Sequence, residues 1–279
     1  MSTTVTKNKI YNITATVISQ RKINSDCFHL IIKPAGNKNI KSYSNILPGQ
    51  FVSIKCGNGT YLRRPFSIAY ADKNRIELIY KVVGYGTKWL SEQEKGNKLD
   101  ILFPLGNGFP IPEFNKDKPV SVILVAGGTG IVTLSYLARK LSTVRQLVDR
   151  ERIIIYYGAR TEKELIYVNK LRKFCSELKI VTEDGSAGYK GLATDLFADY
   201  ILDKQNLNLL VYVYACGPRK MLQKIYEITK NSNILCYASL EEVMACGIGA
   251  CRGCVINTVN GYKTVCKDGP VFKINEILW

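Results

Sequence analysis

Val120-Ser121-Val122-Ile123-Leu124-Val125-Ala126-Gly127-Gly128-Thr129-Gly130 decides the fold. The stretch before its glycines carries a single hydroxyl, Ser121, and is otherwise apolar. A strand wetted on one face alternates polar with apolar residues. This one does not, so it reads as a strand covered on both faces. After the glycines, Leu134, Leu137 and Leu141 fall at helical spacing. Downstream the alternation repeats. Buried strands are expected at 153–157, 178–181, 209–214 and 234–237. Helices are expected over 165–174 and 192–202, and from Pro218 through Met221, Leu222, Ile225 and Ile228. Strands alternating with helices imply a parallel, doubly wound sheet.

Upstream the pattern is different. Runs at 10–19, 28–33, 51–55, 66–70, 76–83 and 99–103 are short and rich in β-branched and aromatic residues. Gly, Pro, Asn or Asp bounds each of them. One or two helical turns follow Gly86-Thr87, through Trp89 and Leu90. Such short strands with little helix suggest an antiparallel β-barrel. A polar linker at 113–118 separates the two patterns. From Ser239 onward the composition changes again, to cysteine and glycine. The expectation is a multi-domain chain: a β-barrel over 1–115, an α/β domain over 116–238 and a small cysteine-bearing domain over 239–279.

Charge and composition exclude several classes. The formal net charge is +16, from 39 Lys and Arg against 23 Asp and Glu. The bases are scattered through the first two segments without a basic arm, and residues 231–279 carry four of each sign. A solvated lysine-rich surface is expected, not a nucleic-acid groove. No apolar run approaches eighteen residues, so no membrane span is expected. Met1 to Lys7 has no apolar signal-peptide core. A reducing, cytoplasmic setting follows, in which nine cysteines stay free or bind metal.

Four of the nine share a spacing. Cys246, Cys251, Cys254 and Cys266 form C-x4-C-x2-C-x11-C. That is the plant-type [2Fe–2S] order, three close ligands and a distant fourth. Gly247, Gly249 and Gly253 allow backbone N–H groups to approach the sulfurs. Asn260-Gly261 is a two-residue type I′ hairpin signal. It would set Val259 opposite Tyr262, Thr258 opposite Lys263 and Val255 opposite Cys266, bringing Cys266 beside Cys254. Structural zinc is the competing reading, but it favours two C-x2-C pairs or added histidine. The single histidine, His29, lies in a distant apolar strand and is expected to be packed there. Cys27, Cys56, Cys175 and Cys236 share no spacing and are expected to be ordinary.

The nucleotide signals are individually weak. Gly127, Gly128, Thr129 and Gly130 could receive a pyrophosphate at the carboxyl end of a strand. Arg64-Pro65-Phe66-Ser67 offers a cation for a pyrophosphate and a hydroxyl for a heterocycle. Gly86 and Thr87 offer backbone and hydroxyl donors. Arg160, near a strand end, could face a 2′-phosphate, so NAD and NADP both stay open.

Together these motifs resemble the ferredoxin–NADP reductase superfamily, a flavin-binding barrel followed by a pyridine-nucleotide domain. The resemblance implies FAD contacts from Arg64, Pro65, Phe66, Ser67, Ile79, Tyr80, Lys81, Gly86 and Thr87. It implies NAD contacts from Gly127, Gly128, Thr129 and Gly130, and from the Cys-Gly-Pro motif Cys216-Gly217-Pro218. Ser67 would lie near the flavin ring and Cys216 near the nicotinamide. No catalytic acid or base is implied. Ile131-Val132-Thr133-Leu134 departs from the prolines that often follow the nucleotide loop. The 239–251 and 265–272 segments, with Pro104 to Phe109, narrow the match to electron-transfer subunits of dihydroorotate dehydrogenase B. This implies FAD, a [2Fe–2S] cluster and NAD, with an FMN-containing catalytic partner in a heterotetramer of two of each. Electrons from dihydroorotate would reach NAD⁺ in pyrimidine biosynthesis. The alternative is the small subunit of an NAD(P)H-dependent ferredoxin oxidoreductase or sulfide dehydrogenase. In those relatives the first cluster ligand is often Asp, so Cys246 favours the dihydroorotate branch.

Overall fold

The computed structural model describes residues 9–35, 45–112, 120–144, 153–204 and 210–279. The expected linker at 113–118 and the Met1 to Lys7 segment lie outside the described residues. Among the described residues six strands close the barrel: β1 (Tyr11–Lys22), β2 (Cys27–Pro34), β3 (Phe51–Ile54), β4 (Arg64–Ala71), β5 (Ile76–Lys81) and β6 (Lys98–Leu105). Their order is β1-β2-β5-β4-β3-β6, and every neighbour is antiparallel. Period-two alternation turns Leu99, Ile101, Phe103 and Leu105 of β6 inward. Leu99, Ile101 and Phe103 meet Val17, Leu30, Ile54, Ile68 and Leu78 in the barrel core. Burying each such aliphatic chain contributes about 1.5–3 kcal/mol. One helix, α1 (Tyr85–Ser91), follows the barrel's β5.

The second unit is a sheet with seven strands among the described residues. They are β7 (Val120–Gly127), β8 (Ile153–Ala159), β9 (Glu177–Thr182), β10 (Tyr189–Lys190), β11 (Leu210–Cys216), β12 (Leu235–Ser239) and, from the C-terminal segment, Val271–Lys273. The apolar run of β7 divides between two cores, as a doubly covered strand requires. Val122, Leu124 and Ala126 pack with Ile131, Leu134, Leu137 and Leu141 of α2 (Ile131–Leu141). Ile123 and Val125 belong to the opposite face. There they join Phe197 and Ile201 of α4 (Ala193–Lys204) and Leu222 and Ile225 of α5 (Arg219–Thr229).

The helix expected over 165–174 is reduced to one turn, α3 (Val168–Leu171). Tyr157 Oη accepts the Ile166 N–H at 3.1 Å, and Tyr167 sits at φ 64°. A non-glycine residue in the left-handed region cannot continue a right-handed helix. The twist instead lays the Tyr167 ring edge-on to His29 of the barrel, 6.2 Å between centroids.

His29 is packed, as expected, and paired. Its Nε2 lies 3.0 Å from Glu77 Oε2, and Arg75 Nη2 lies 3.2 Å from Glu77 Oε1. Burial pushes the Glu77 carboxyl up, but His29, then Arg75 and Lys170, outweigh it, and the group stays below its ordinary 4.5. The stabilisation from a depressed carboxylate is complete above its unfolded value and is lost as pH falls through the folded one. His29→Ala should therefore cost about 3 kcal/mol at pH 7 by uncovering a buried carboxylate. It should also move acid unfolding toward higher pH. Thermal unfolding from pH 3 to 7 measures both, and identical curves for the two proteins would show that the pair contributes nothing.

The C-terminal segment is bound into both units. Its last strand, β15 (Val271–Lys273), runs antiparallel to β12 through Ser239↔Val271, Ala238↔Phe272 and Tyr237↔Lys273. The end of β6 is sewn to it as well. Asn107 N–H donates to Gly269 O at 2.6 Å, and Asn107 Nδ2 donates to Asp268 O at 2.8 Å. Gly106 is required here, because a Cβ would lie 2.6 Å from Pro270 Cδ and 2.9 Å from Gly269 O. The 104–109 stretch is thus a seam between the barrel and the cysteine segment. Among the described residues, no helix is long and apolar enough to cross a membrane.

Candidate functional site

The cysteine loop is built from the backbone outward. Gly247 (φ 72°), Gly249 (φ 81°) and Arg252 (φ 56°) take left-handed conformations. These reversals turn successive N–H groups toward sulfur. Ile248 and Cys251 donate to Cys246 Sγ at 3.5 and 3.4 Å, and Gly253 donates to Cys251 Sγ at 3.4 Å. Gly249 reaches the distant Cys266 Sγ at 3.1 Å, and Cys266 N–H reaches Cys254 Sγ at 3.4 Å. Donors aimed at sulfur favour the thiolate and suit an anionic cluster. Burial pushes the Cys246 thiol up, but the N–H groups of Cys251 and Ile248 outweigh it and bring it to about 6. Burial and the neighbouring Cys254 push Cys266 to about 12. Among the described residues, no three His, Cys, Asp or Glu side chains are grouped as ligands of one metal ion. The loop's fit to a cluster rests on its donor set, four sulfurs met by backbone N–H groups.

The hairpin brings Cys266 beside Cys254, but in a different register from the expected one. The strands are β13 (Val255–Thr258) and β14 (Gly261–Thr264), and they pair Thr258 with Gly261 and Val255 with Thr264. The turn is therefore Val259-Asn260, with only Gly261 at positive φ, 87°. A type I′ turn needs positive φ at both central residues. Thr258 prevents that by its own bonding, accepting from Asn260 N–H at 3.3 Å and donating to Gly261 O at 2.6 Å. Val265 N–H then donates to Cys254 O at 2.9 Å, which sets Cys266 next to Cys254.

A cleft of about 330 Å³ lies where barrel, sheet and cysteine segment meet. The barrel contributes Pro65, Phe66, Ser67, Ile79, Tyr80, Lys81 and Thr87, and the sheet contributes Thr129 and Cys216. The segment before the cysteines contributes Glu241 and Met244. Phe66 and Tyr80 meet edge-to-face at 5.4 Å, fixing the barrel wall. Apolar and aromatic walls with a few polar groups suit a heterocycle such as a flavin. Arg64 and Gly86 lie beside each other, a Cβ on Gly86 falling 3.3 Å from Arg64 Cγ. Arg64 Nη1 is bonded to Leu62 O at 2.8 Å. The Thr87 hydroxyl is already committed. It accepts the Val83 and Gly84 N–H groups and donates to Gly84 O, capping α1. Burial, then the Glu241 charge, pushes Cys216 up to about 12, so its thiol is neutral. Glu241 is itself held above its ordinary range by desolvation.

The glycine turn after β7 interlocks with the turn after β11. A Cβ on Gly130 would lie 2.2 Å from Cys216 O, and one on Gly217 would lie 3.0 Å from Gly127 N. Gly127 is closed in the same way by Pro218 and Met221. Gly128, at φ 53°, instead faces open space. Gly127 to Gly130 and Pro218 open on a groove with Lys81, Arg160, Glu164 and Glu241. A second cleft of about 610 Å³ continues from Gly127 and Gly128 to Arg160, Glu183, Lys220 and Lys224. The sequence reading missed Glu164, Glu183, Glu241 and Met244. Glu183 carried a usable signal, since it directly follows a parallel strand at the sheet's ligand-facing end.

Residues 241–278 match the family described as the iron-sulfur cluster binding domain of dihydroorotate dehydrogenase B. Residues 124–227 match the oxidoreductase NAD-binding domain. The dihydroorotate dehydrogenase B (NAD(+)) electron transfer subunit of Caldanaerobacter subterraneus subsp. tengcongensis is 37% identical over 273 residues, covering 96% of this chain and 99% of that one. The chain belongs to this family. The family's Clostridium acetobutylicum member is 38% identical over 240 residues, 86% of this chain and 89% of that one. A structure of an NADH-dependent reduced ferredoxin–NADP oxidoreductase has a TM-score of 0.78 at 28% identity, covering 95% of this chain and 90% of that chain. The ferredoxin reductase of a carbazole 1,9a-dioxygenase shares the fold, with a TM-score of 0.64 at 18% identity, covering 82% of this chain and 68% of that chain.

Proposed function

We propose that this chain carries electrons from dihydroorotate to NAD⁺ in pyrimidine biosynthesis, with FAD and a [2Fe–2S] cluster as its cofactors. The oxidation of dihydroorotate occurs on the FMN of a partner catalytic subunit, in a cytoplasmic heterotetramer of two of each. The observation that carries this reading is the three-sided cleft, where the flavin-type barrel wall, Cys216 and the cysteine segment meet. A cluster moves single electrons, a nicotinamide takes a hydride, and a flavin handles both. The division into 1–115, 116–238 and 239–279 assigns one cofactor to each part.

The residues act as holders. Cys246, Cys251, Cys254 and Cys266 ligate the cluster. Arg64 to Ser67, Ile79 to Lys81, Gly86 and Thr87 hold FAD. Gly127 to Gly130 and Cys216 to Pro218 seat NAD. The neutral Cys216 thiol would line the cofactor cleft without competing as a nucleophile. Ser67 would offer a hydroxyl to the same cleft. Thr87 supports the FAD site by shaping α1, since its hydroxyl proton is already given to Gly84 O.

Purified protein should show flavin bands together with reddish [2Fe–2S] absorption, and should copurify with a flavoprotein partner. The pair should form NADH from dihydroorotate. A colourless zinc protein, or a fully loaded pair without that activity, would overturn the reading. Ferredoxin-dependent NAD(P)H oxidation in place of dihydroorotate oxidation would favour the ferredoxin oxidoreductase alternative, to which the 0.78 TM-score neighbour points.

A further inference from the structure

We propose that Glu164, by holding Arg160, makes the nucleotide site select a free 2′-hydroxyl over a 2′-phosphate, and so NAD over NADP. The inference rests on the reading of Gly127 to Gly130 as the pyrophosphate seat. In a doubly wound sheet a dinucleotide extends from that seat across the carboxyl end of the neighbouring strand, where its adenosine ribose is read. The neighbour here is β8, in register through Gly127↔Gly158. Arg160 follows β8 directly and lines both the groove and the larger cleft.

A free arginine at this place would be a receptor for a 2′-phosphate. This arginine is not free. Its Nε donates to Glu164 Oε1 at 3.0 Å and to Oε2 at 3.3 Å, and its Nη2 also meets Oε1. The same carboxylate accepts the Arg160 backbone N–H at 3.3 Å. Glu164 therefore returns the arginine's charge and occupies its fork. Arg160 in turn holds the Glu164 carboxyl below its ordinary range, so it is an anion at neutral pH.

A second carboxylate stands nearby. Glu183 N–H donates to Ala159 O at 3.1 Å, which places Glu183 at the end of β8, and it lines the same cleft. A 2′-phosphate entering here meets Glu164 and Glu183, whereas a 2′-hydroxyl can donate to either one. Like charges brought together reject the wrong ligand, while the hydroxyl's bond to a carboxylate favours the right one. Lys220 and Lys224 line the cleft from α5, and they are the groups that could reverse the outcome.

The test is titration calorimetry on the cofactor-loaded protein with 5′-AMP and with adenosine 2′,5′-bisphosphate. Wild type should bind 5′-AMP about tenfold more tightly. Glu164→Gln frees Arg160 and should shift the ratio by about tenfold toward the bisphosphate. Glu164→Gln combined with Arg160→Ala should lose that gain, which general loosening of the loop would not do. Preference of wild type for the bisphosphate would overturn the inference and point to Lys220 and Lys224, and this comparison needs no variant to fold. An unchanged ratio in Glu164→Gln would overturn it as well. If 5′-AMP binds without discrimination, only the selectivity fails. If neither probe binds, the nucleotide seat fails with it.

Discussion

Cys266→Ser should strip the [2Fe–2S] absorption from the purified protein while leaving the flavin bands in place. Cys266 is 2% exposed, and burial keeps its free thiol protonated, up to about 12. Only binding to metal makes a thiolate worthwhile there. Serine matches the shape but offers a hard, far less acidic oxygen where soft sulfur is preferred. The Gly249 N–H, now 3.1 Å from Cys266 Sγ, would lose its anionic acceptor. The hairpin itself should survive, because Val265 N–H to Cys254 O and the Asn107 bonds to the 268–269 backbone do not involve the sulfur. Dihydroorotate-dependent NADH formation by the complex should fall by at least about a hundredfold. NADH oxidation by an artificial acceptor, which needs only the flavin, should persist. Cys175→Ser is the control: that thiol is buried and bonded to Leu171 O at 3.3 Å, outside the cysteine loop. Iron content and electron paramagnetic resonance of the reduced protein decide the matter. A full cluster signal in Cys266→Ser would remove Cys266 from the ligand set.

Much of this architecture was legible because its signals are local. The unbroken apolar run of β7 foretold a strand covered on both faces, and its side chains do divide between two helix layers. Alternation gave the barrel strands, and cysteine spacing marked the loop. Side-chain bonding and contacts between distant segments were not legible. Asn260-Gly261 looks like a type I′ turn until the Thr258 hydroxyl takes the Asn260 N–H and moves the turn back by one residue. Periodicity favoured a helix over 165–174, and contact of Tyr167 with the barrel's His29 overrode it. Val271–Lys273 is too short to announce itself as a strand, and only pairing with β12 makes it one. At the nucleotide site Arg160 could be noticed, but its capture by Glu164 is side-chain geometry and leaves no periodic trace. The three-sided cleft has the same origin, since no single stretch of sequence contains it.

Gly130→Ala should be among the most damaging single-methyl changes in the nucleotide unit. The reason is steric, not conformational. Gly130 has φ −57° and ψ −22°, which alanine adopts freely. The added Cβ, however, would lie 2.2 Å from Cys216 O, 2.5 Å from Cys216 C and 3.0 Å from Gly217 N. All three are backbone atoms at the end of β11 and cannot rotate aside as a side chain could. Relief requires moving the turn after β7 away from the turn after β11. Overpacking of this kind costs about 1–3 kcal/mol or more, a fall in Tm of several degrees. The same displacement separates Gly127 to Thr129 from Cys216 to Pro218, the two halves of the proposed NAD seat. NAD affinity should therefore drop by about tenfold or more. Gly128→Ala makes the opposite comparison. Its Cβ would meet nothing within 4 Å, but φ is 53°, so the cost is backbone strain of about 1–2 kcal/mol. The ordering of the two variants is the measurement that matters, read by thermal unfolding and NAD titration side by side. Loss of affinity greater in Gly128→Ala than in Gly130→Ala would show that the loop's freedom, not the interlock with Cys216, governs the nucleotide seat.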